Sequence, residues 1–298
     1  MREGKRRILS ILTALALVLG LCTPLGGLLP AAKAAEIVDS GSCGENMTWT
    51  LDSEGTLTIS GAGDMEDFEL AASSRPWGRY LSNIEAIVIQ NGITSIGDYA
   101  FSIVTNSDND YIKSVSIPSS VTRIGDNAFR NCGGLENITI SDNVTEVGKG
   151  AFEGAGLRSV TVGNGITELT DSAFAGCSSL TDVTLSEGLK VISTSAFWGC
   201  ISLEGIKLPD SVTAVYGGAF ENCSALEYVV LGSGITEFGG QHQGDYSQSS
   251  VFYQCTSLRN IYYPGSQEEF SKIKNSSYVA GMAGIEVHYN SNGPGDTD

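Results

Sequence analysis

The sequence predicts a right-handed solenoid of parallel β coils, each about 23 residues long. A β-hairpin should cap its start, and a helix plus a strand its end. Three observations carry this prediction. The pair Ala-Phe recurs at Ala100-Phe101, Ala128-Phe129, Ala151-Phe152, Ala173-Phe174, Ala196-Phe197 and Ala219-Phe220, with Val251-Phe252 as a seventh, altered copy. Aliphatic residues keep fixed offsets between these pairs. Clusters of Gly, Asn, Ser and Pro separate the aliphatic runs at the same period, which is the signature of a stacked repeat.

The elements follow in chain order. Residues 1–34 read as a secretory signal peptide. Arg2, Lys5, Arg6 and Arg7 form a basic start, residues 8–21 an apolar run, and Ala32-Lys33-Ala34 a small-x-small cleavage pattern. That run of 14 residues is shorter than the ~20 needed to span a bilayer. Leu21 before Cys22 is too large for lipoprotein processing. Residues 35–76 should form the N-terminal hairpin cap. Met47, Trp49 and Leu51 alternate, Asp52-Ser53-Glu54-Gly55 turns, and Leu57 and Ile59 alternate again. Pro76-Trp77 lies 24 residues before Phe101, so Trp77 is read as a degenerate Phe position closing the first coil.

Residues 77–263 are the repeats. One unit carries Leu157, Val160, Val162, Ile166, Leu169, Ala173 and Phe174; the next carries Leu180, Val183, Leu185, Leu189, Ile192, Ala196 and Phe197. Aliphatics at +3 and +5 alternate, as on one face of a short strand. A turn follows (Gly163-Asn164-Gly165, Pro209-Asp210-Ser211), then a second extended piece with the +9 and +12 aliphatics. Gly125-Asp126 or Thr170-Asp171 leads into the Ala-Phe segment, where Asp is expected to cap a short helical turn. One coil cannot bury its own apolar side, but stacked coils cover each other. Helical repeats run about 33 to 47 residues, and a shorter unit rich in β-branched residues and Gly cannot supply two helices. The Phe spacings of 28 and 32 exceed the period because of polar inserts around residues 105–110 and 239–249.

Residues 264–290 should form the C-terminal cap. Ser266-Gln267-Glu268-Glu269 is a capping-box arrangement that starts a short helix through Phe270 and Ile273. Residues 285–289 should be a final strand. Residues 291–298 read as a flexible tail or the start of a linker.

Of seven cysteines, Cys132, Cys177, Cys200, Cys223 and Cys255 sit three residues after a repeat Phe, where copy three has Ala155. A column in which Cys and Ala interchange is a small buried site, so these read as core thiols. An export signal permits disulfides, and Cys200 with Cys223 is the rival pairing. The spacings are the repeat period, not a metal-ligand spacing.

The unit Leu180-x-x-Val183-x-Leu185-x-x-x-Leu189-x-x-Ile192-x-x-x-Ala196-Phe197-x-x-Cys200 resembles the treponemal-type leucine-rich repeat of bacterial surface proteins. The resemblance covers roughly residues 84–263, and the Trp49 to Gly61 hairpin with Pro76-Trp77 is similar to the leader region found before such repeats. It implies a leucine-rich-repeat solenoid that is secreted or surface-displayed and acts by adhesion or protein binding. It implies no catalytic residue and no cofactor.

Net charge bears on the partner. Removing residues 1–34 takes away five Lys/Arg and one Asp/Glu, leaving 12 basic and 33 acidic side chains and a net charge of −21. This argues against nucleic acid and anionic membranes as partners. No segment of the mature chain is long and apolar enough to cross a membrane. Of the two histidines, His288 belongs to the terminal strand, and His242 lies in the long insert near Asp245, an arrangement that could be a site but reads more plainly as a solvated loop. No metal site is visible, and no pair of carboxylates is singled out for hydrolysis.

The outward strand positions carry the functional expectation. At +4 they read Val88, Ser116, Thr139, Thr161, Thr184, Lys207, Val230 and Tyr262. At +2 they read Ala86, Ser114, Asn137, Ser159, Asp182, Gly205, Tyr228 and Asn260. Small polar groups give way to Lys207, Tyr228, Val230 and Tyr262, with His242 and Tyr246 in the insert nearby. Tyr-rich exposed surface suits a binding hot spot. The expected ligand site is therefore the C-terminal third of the concave face, and the expected partner an extracellular protein or glycan. The alternatives are an architectural spacer and, further off, a hydrolase of surface glycans or peptides.

Overall fold

Each coil of the computed structural model contributes two short strands and one turn flank. The structure describes residues 35–104, 110–239, 250–280, 282 and 284–296; the expected signal peptide lies outside them. Glu36–Asp298 forms one unit, a parallel β-solenoid of about eight turns with about 24 residues per turn and little helix.

The first strands stack in parallel and in register. Asn137–Ile140, Ser159–Val162 and Asp182–Thr184 align with Ile138, Val160 and Val183 side by side. Gly205–Lys207, Tyr228–Val230 and Asn260–Tyr263 do the same further on. Period-2 alternation buries Ile138 and Ile140 and leaves Asn137 and Thr139 exposed. A second ladder runs along another flank, for example Glu168–Leu169, Val191–Ile192, Ala214–Val215 and Glu237–Phe238.

The third flank holds the aromatic column. Trp77, Phe101, Phe129, Phe152, Phe174, Phe197, Phe220 and Phe252 are all 0% exposed. Successive ring centroids lie 5.3 to 5.7 Å apart with interplanar angles of 4° to 23°. Trp77 thus occupies the first Phe position, and its Nε1 donates to the Ala100 carbonyl at 3.0 Å.

The short helical turns around Ala-Phe take the form of a turn ribbon rather than α-helix. Its N–H groups alternate in direction. Ser172, Phe174 and Gly176 donate to Thr194, Ala196 and Trp198 of the next coil, while Ala173, Ala175 and Cys177 donate back to Thr170, Ser172 and Phe174. That alternation needs a left-handed residue on each side of Ala-Phe. Ser172 (φ 58°) and Gly176 (φ 70°) fill these places here, and Asn127 and Asn131 fill them in an earlier coil. Asp98 and Asp126 reach along the stack instead of capping their own turns. Asp98 Oδ1 accepts from the Asp126 N–H at 2.8 Å, and Asp126 Oδ1 from the Lys149 N–H at 2.7 Å, so they bind coil to coil.

The six cysteines among the described residues are free and buried. Each column thiol donates to the Phe carbonyl of the preceding coil: Cys132 to Phe101, Cys177 to Phe152, Cys200 to Phe174, Cys223 to Phe197 and Cys255 to Phe220, at 2.9 to 3.4 Å. Burial pushes the Cys132 and Cys177 thiols up to about 12.

At the start, Met47–Asp52 and Thr56–Gly61 pair antiparallel as a hairpin. A third strand, Ile37–Gly44, extends it on the outer edge. Thr56–Gly61 then pairs parallel with Ala86–Ile89, joining the hairpin to the first ladder. At the end, Ser266 and Glu269 make a reciprocal capping box on the helix Gln267–Lys272. Phe270 packs against Tyr263, Phe238 and Tyr289. A second helix, Ser276–Ala280, follows. Glu286–Tyr289 pairs parallel with Asn260–Tyr263, which makes it one more rung of the first ladder. Residues 291–296, expected as a flexible tail, fold back instead. The Ser291 N–H donates to the Tyr263 carbonyl at 3.1 Å, and Ser291 and Gly293 are buried.

Candidate ligand-binding face

The outward side of the first ladder is built by register. Gly205 stands opposite Tyr228, which stands opposite Asn260; Asn260 stands opposite Glu286. One step along, the row reads Lys207, Val230, Tyr262 and His288. Parallel register therefore brings Lys207, Tyr228 and Tyr262 together on one face, as the sequence predicts. Towards the N-terminus the same face is Ser116, Thr139, Thr161 and Thr184, all exposed.

The geometry of these side chains differs in detail from a simple exposed patch. Tyr228 and Tyr262 meet edge to face, with centroids 6.4 Å apart at 74°. Tyr262 stacks on His288 at 4.7 Å and 17°. The His288 Nε2 lies 2.9 Å from the Asn260 Oδ1. Both tyrosines are half-buried and Lys207 is exposed. Val230 corrects the sequence reading: it is only 4% exposed, because the backbone at Gly293 folds over it, with a Cβ there 3.5 Å from the Val230 Cγ2. Val230 is packing, not contact surface. His242 and Tyr246 lie outside the described residues.

Sequence reasoning missed His288 as a member of the face. The alternation Ile285, Val287, Tyr289 points to its outward direction, and a final strand that finishes the sheet puts it on this face. Tyr253 is 52% exposed, but as the residue after Phe252 it belongs to the turn flank, with Trp198, the residue after Phe197.

A separate open groove of about 600 Å³ lies between the turn flank and the first ladder. Copy three has one residue fewer there, Ala155-Gly156-Leu157 against Cys132-Gly133-Gly134-Leu135, and glycines line the notch. Of its charged lining, Lys113 pairs with Glu85 at 2.9 Å and Arg158 with Glu136 at 3.5 Å. Among the described residues no group of His, Cys, Asp or Glu is arranged to hold a metal ion. No described helix is long and apolar enough to cross a membrane.

Comparison with known families gives the architecture its name. The model of the BspA-type leucine-rich repeat region, present in six copies, matches residues 79–110 and 107–227. The chain belongs to this family. Among solved structures, this BspA-type chain is similar to a leucine-rich repeat protein from Bacteroides ovatus, at 19% identity and a TM-score of 0.52, covering 82% of this chain and 75% of that one. A leucine-rich cell surface protein from Faecalibacterium prausnitzii is 16% identical with a TM-score of 0.35, over 82% of this chain and 99% of that one. The leucine-rich repeat protein of T. pallidum is 20% identical with a TM-score of 0.34, over 73% and 69%. No curated protein matches the chain. The leucine-rich-repeat solenoid is typically a non-enzymatic fold.

Proposed function

We propose that this chain is a secreted or cell-surface recognition module that mediates adhesion by binding an extracellular protein or glycan. The contact lies on the C-terminal third of the first-ladder face. One observation carries the reading: Tyr228, Tyr262 and His288 gather in adjacent rungs, while the middle of that face carries the small polar groups Ser116, Thr139, Thr161 and Thr184. Tyrosine offers large, stiff contact area with a polar tip, which is why it concentrates binding energy. Lys207 belongs to the same contact, and His242 and Tyr246, which lie outside the described residues, are proposed to contribute to it. The module uses no cofactor or catalytic group and does not take nucleic acid, which its acidic charge repels. The basic start and cleavage pattern of residues 1–34 support export. The uniform ladder Ser116, Thr139, Thr161, Thr184 favours a second reading, an architectural spacer within a larger surface protein.

The test is a binding screen of the chain against extracellular-matrix proteins, glycans and bacterial surface extracts. Tyr228→Ala and Tyr262→Ala should each weaken the captured interaction roughly tenfold or more with little change in melting temperature. Full affinity in the folded double variant would move the contact elsewhere. Absence of any ligand would leave the spacer reading.

A further inference from the structure

We infer that the outer face of the Tyr228 ring is a stacking platform for one pyranose ring of an uncharged glycan chain. This rests on the strand-face reading above and names the ligand class. A Cβ added at Gly205 would meet the Tyr228 Cζ first and then Cε1 and Cε2, at 2.5 and 2.7 Å. The phenol oxygen lies farther away. An approach nearest to Cζ and nearly equal to both Cε atoms comes at the face of the ring, not its edge. Tyr228 therefore lies flat across the backbone of Gly205, and its other face is directed away from the sheet. Any side chain at position 205 would lift it. In a ladder whose other outward positions nearly all carry side chains, the glycine has a specific consequence: it seats an aromatic ring parallel to the surface.

The outward face of this half-buried ring carries the negative part of the aromatic quadrupole. The C–H face of a pyranose presents weakly positive hydrogens and complements it. The surroundings are polar rather than apolar, which distinguishes a sugar site from a protein hot spot. Lys207 is exposed beside Gly205, and Glu286 is exposed beyond Asn260. Asn260 has its Oδ1 engaged by His288, and its amide NH₂ has no partner among the described residues. These groups offer donors and an acceptor to sugar hydroxyls around the ring. In the next row Val230 is already covered by the chain at Gly293, and Tyr262 meets Tyr228 edge to face and stacks on His288. A net charge of −17 disfavours sulfated or uronic polymers. The face is a sheet surface and not a closed pocket, so it suits a chain laid across it more than a free monosaccharide.

The experiment titrates the full chain with chitotetraose, cellotetraose, maltotetraose, mannotetraose and xylotetraose. Binding is read by calorimetry and by saturation transfer from tyrosine ring protons to the sugar. At least one oligosaccharide should bind with transfer to its C–H protons. Tyr228→Ala should weaken it by about tenfold or more, and Tyr228→Phe, which keeps the ring, should retain most of the affinity. Gly205→Ala, which keeps the tyrosine but tilts it, should weaken binding as Tyr228→Ala does. Sugar binding that survives both Tyr228→Ala and Gly205→Ala overturns the placement. No sugar binding together with a protein ligand that depends on Tyr228 overturns the glycan class and leaves the strand-face reading intact. Failure to bind any sugar or any protein overturns both.

Discussion

Phe174 lies between Phe152 and Phe197, with ring centroids 5.4 and 5.6 Å away, and none of its surface reaches solvent. Truncation removes the transfer energy of the ring and opens a cavity that two stacked neighbours cannot fill. Phe174→Ala should therefore lose about 3–5 kcal/mol in a urea unfolding curve; a loss under about 1 kcal/mol would remove Phe174 from the core. The cysteine column makes a different prediction. Burial raises the Cys132 and Cys177 thiols to about 12 from a usual value of 9.0. Above pH 9 the unfolded chain releases these protons while the folded chain still holds them, so the thiol contribution to stability falls as pH rises from 9 to 12. Ala155 shows that the column accepts alanine. Cys177→Ala should be tolerated near neutral pH, and its stability should decline less steeply than wild type between pH 9 and 12. An unchanged slope would contradict the burial of that thiol. The Phe and Cys columns were legible in the sequence because a repeat prints the same environment again and again. Arg75 was not. It is 3% exposed, and its Nη1 donates to the Ser102 carbonyl at 2.9 Å; burial lowers its guanidinium to about 10. It occurs once, before the first complete coil, so no periodicity announces it.

The elements show where pattern suffices and where it does not. The hairpin Met47–Asp52 and Thr56–Gly61 was readable because its alternation buries one face. Ile37–Gly44 was not, since an edge strand with Asp39, Ser40 and Ser42 carries no apolar period. Its anchor is instead polar: the Asp39 Oδ2 accepts from Tyr80 at 2.7 Å and from Arg79 at 2.6 Å. These two bonds, Tyr80 first, hold the Asp39 carboxyl down at about 2. The turn ribbon could not be told from a short helix in sequence, because Asn, Ser and Gly are at home both at helix ends and in the left-handed region. The capping box of the helix Gln267–Lys272 was legible because its two partners are local. Ser266→Ala removes the acceptor for the Glu269 N–H and should cost about 1 kcal/mol, read as a lower urea midpoint. No shift in midpoint would mean that the helix is held by Phe270 packing alone. The binding face was half legible. Alternation and register give which residues share it, but not that Gly293 returns to cover Val230, a contact that no local pattern encodes.

At the scale of the molecule, the continuous element is the turn flank and not the sheet. The hydrogen-bonded first ladder ends at Ser114–Ser116, resumes at Asn137–Ile140, ends again at Asp182–Thr184 and resumes at Gly205–Lys207. The second ladder is divided between Glu146–Val147 and Glu168–Leu169. Val115, Ile117, Val183 and Leu185 are half-buried at the first-ladder breaks. Across each of these junctions a Phe amide bridges the coils: Phe129 to the Ala151 carbonyl at 2.7 Å, Phe152 to Ala173 at 2.9 Å and Phe197 to Ala219 at 2.8 Å. Stability in such a stack is a sum of neighbour interfaces, and here the aromatic column is the interface that never lapses. Native-state hydrogen exchange on the amides of Phe129, Phe152 and Phe197 tests this most directly. All three should be among the slowest amides of the chain and slower than those of Val115 and Val183 at the ladder breaks. Exchange of the three Phe amides at the rates of unstructured peptide would contradict a solenoid held together along its ring column.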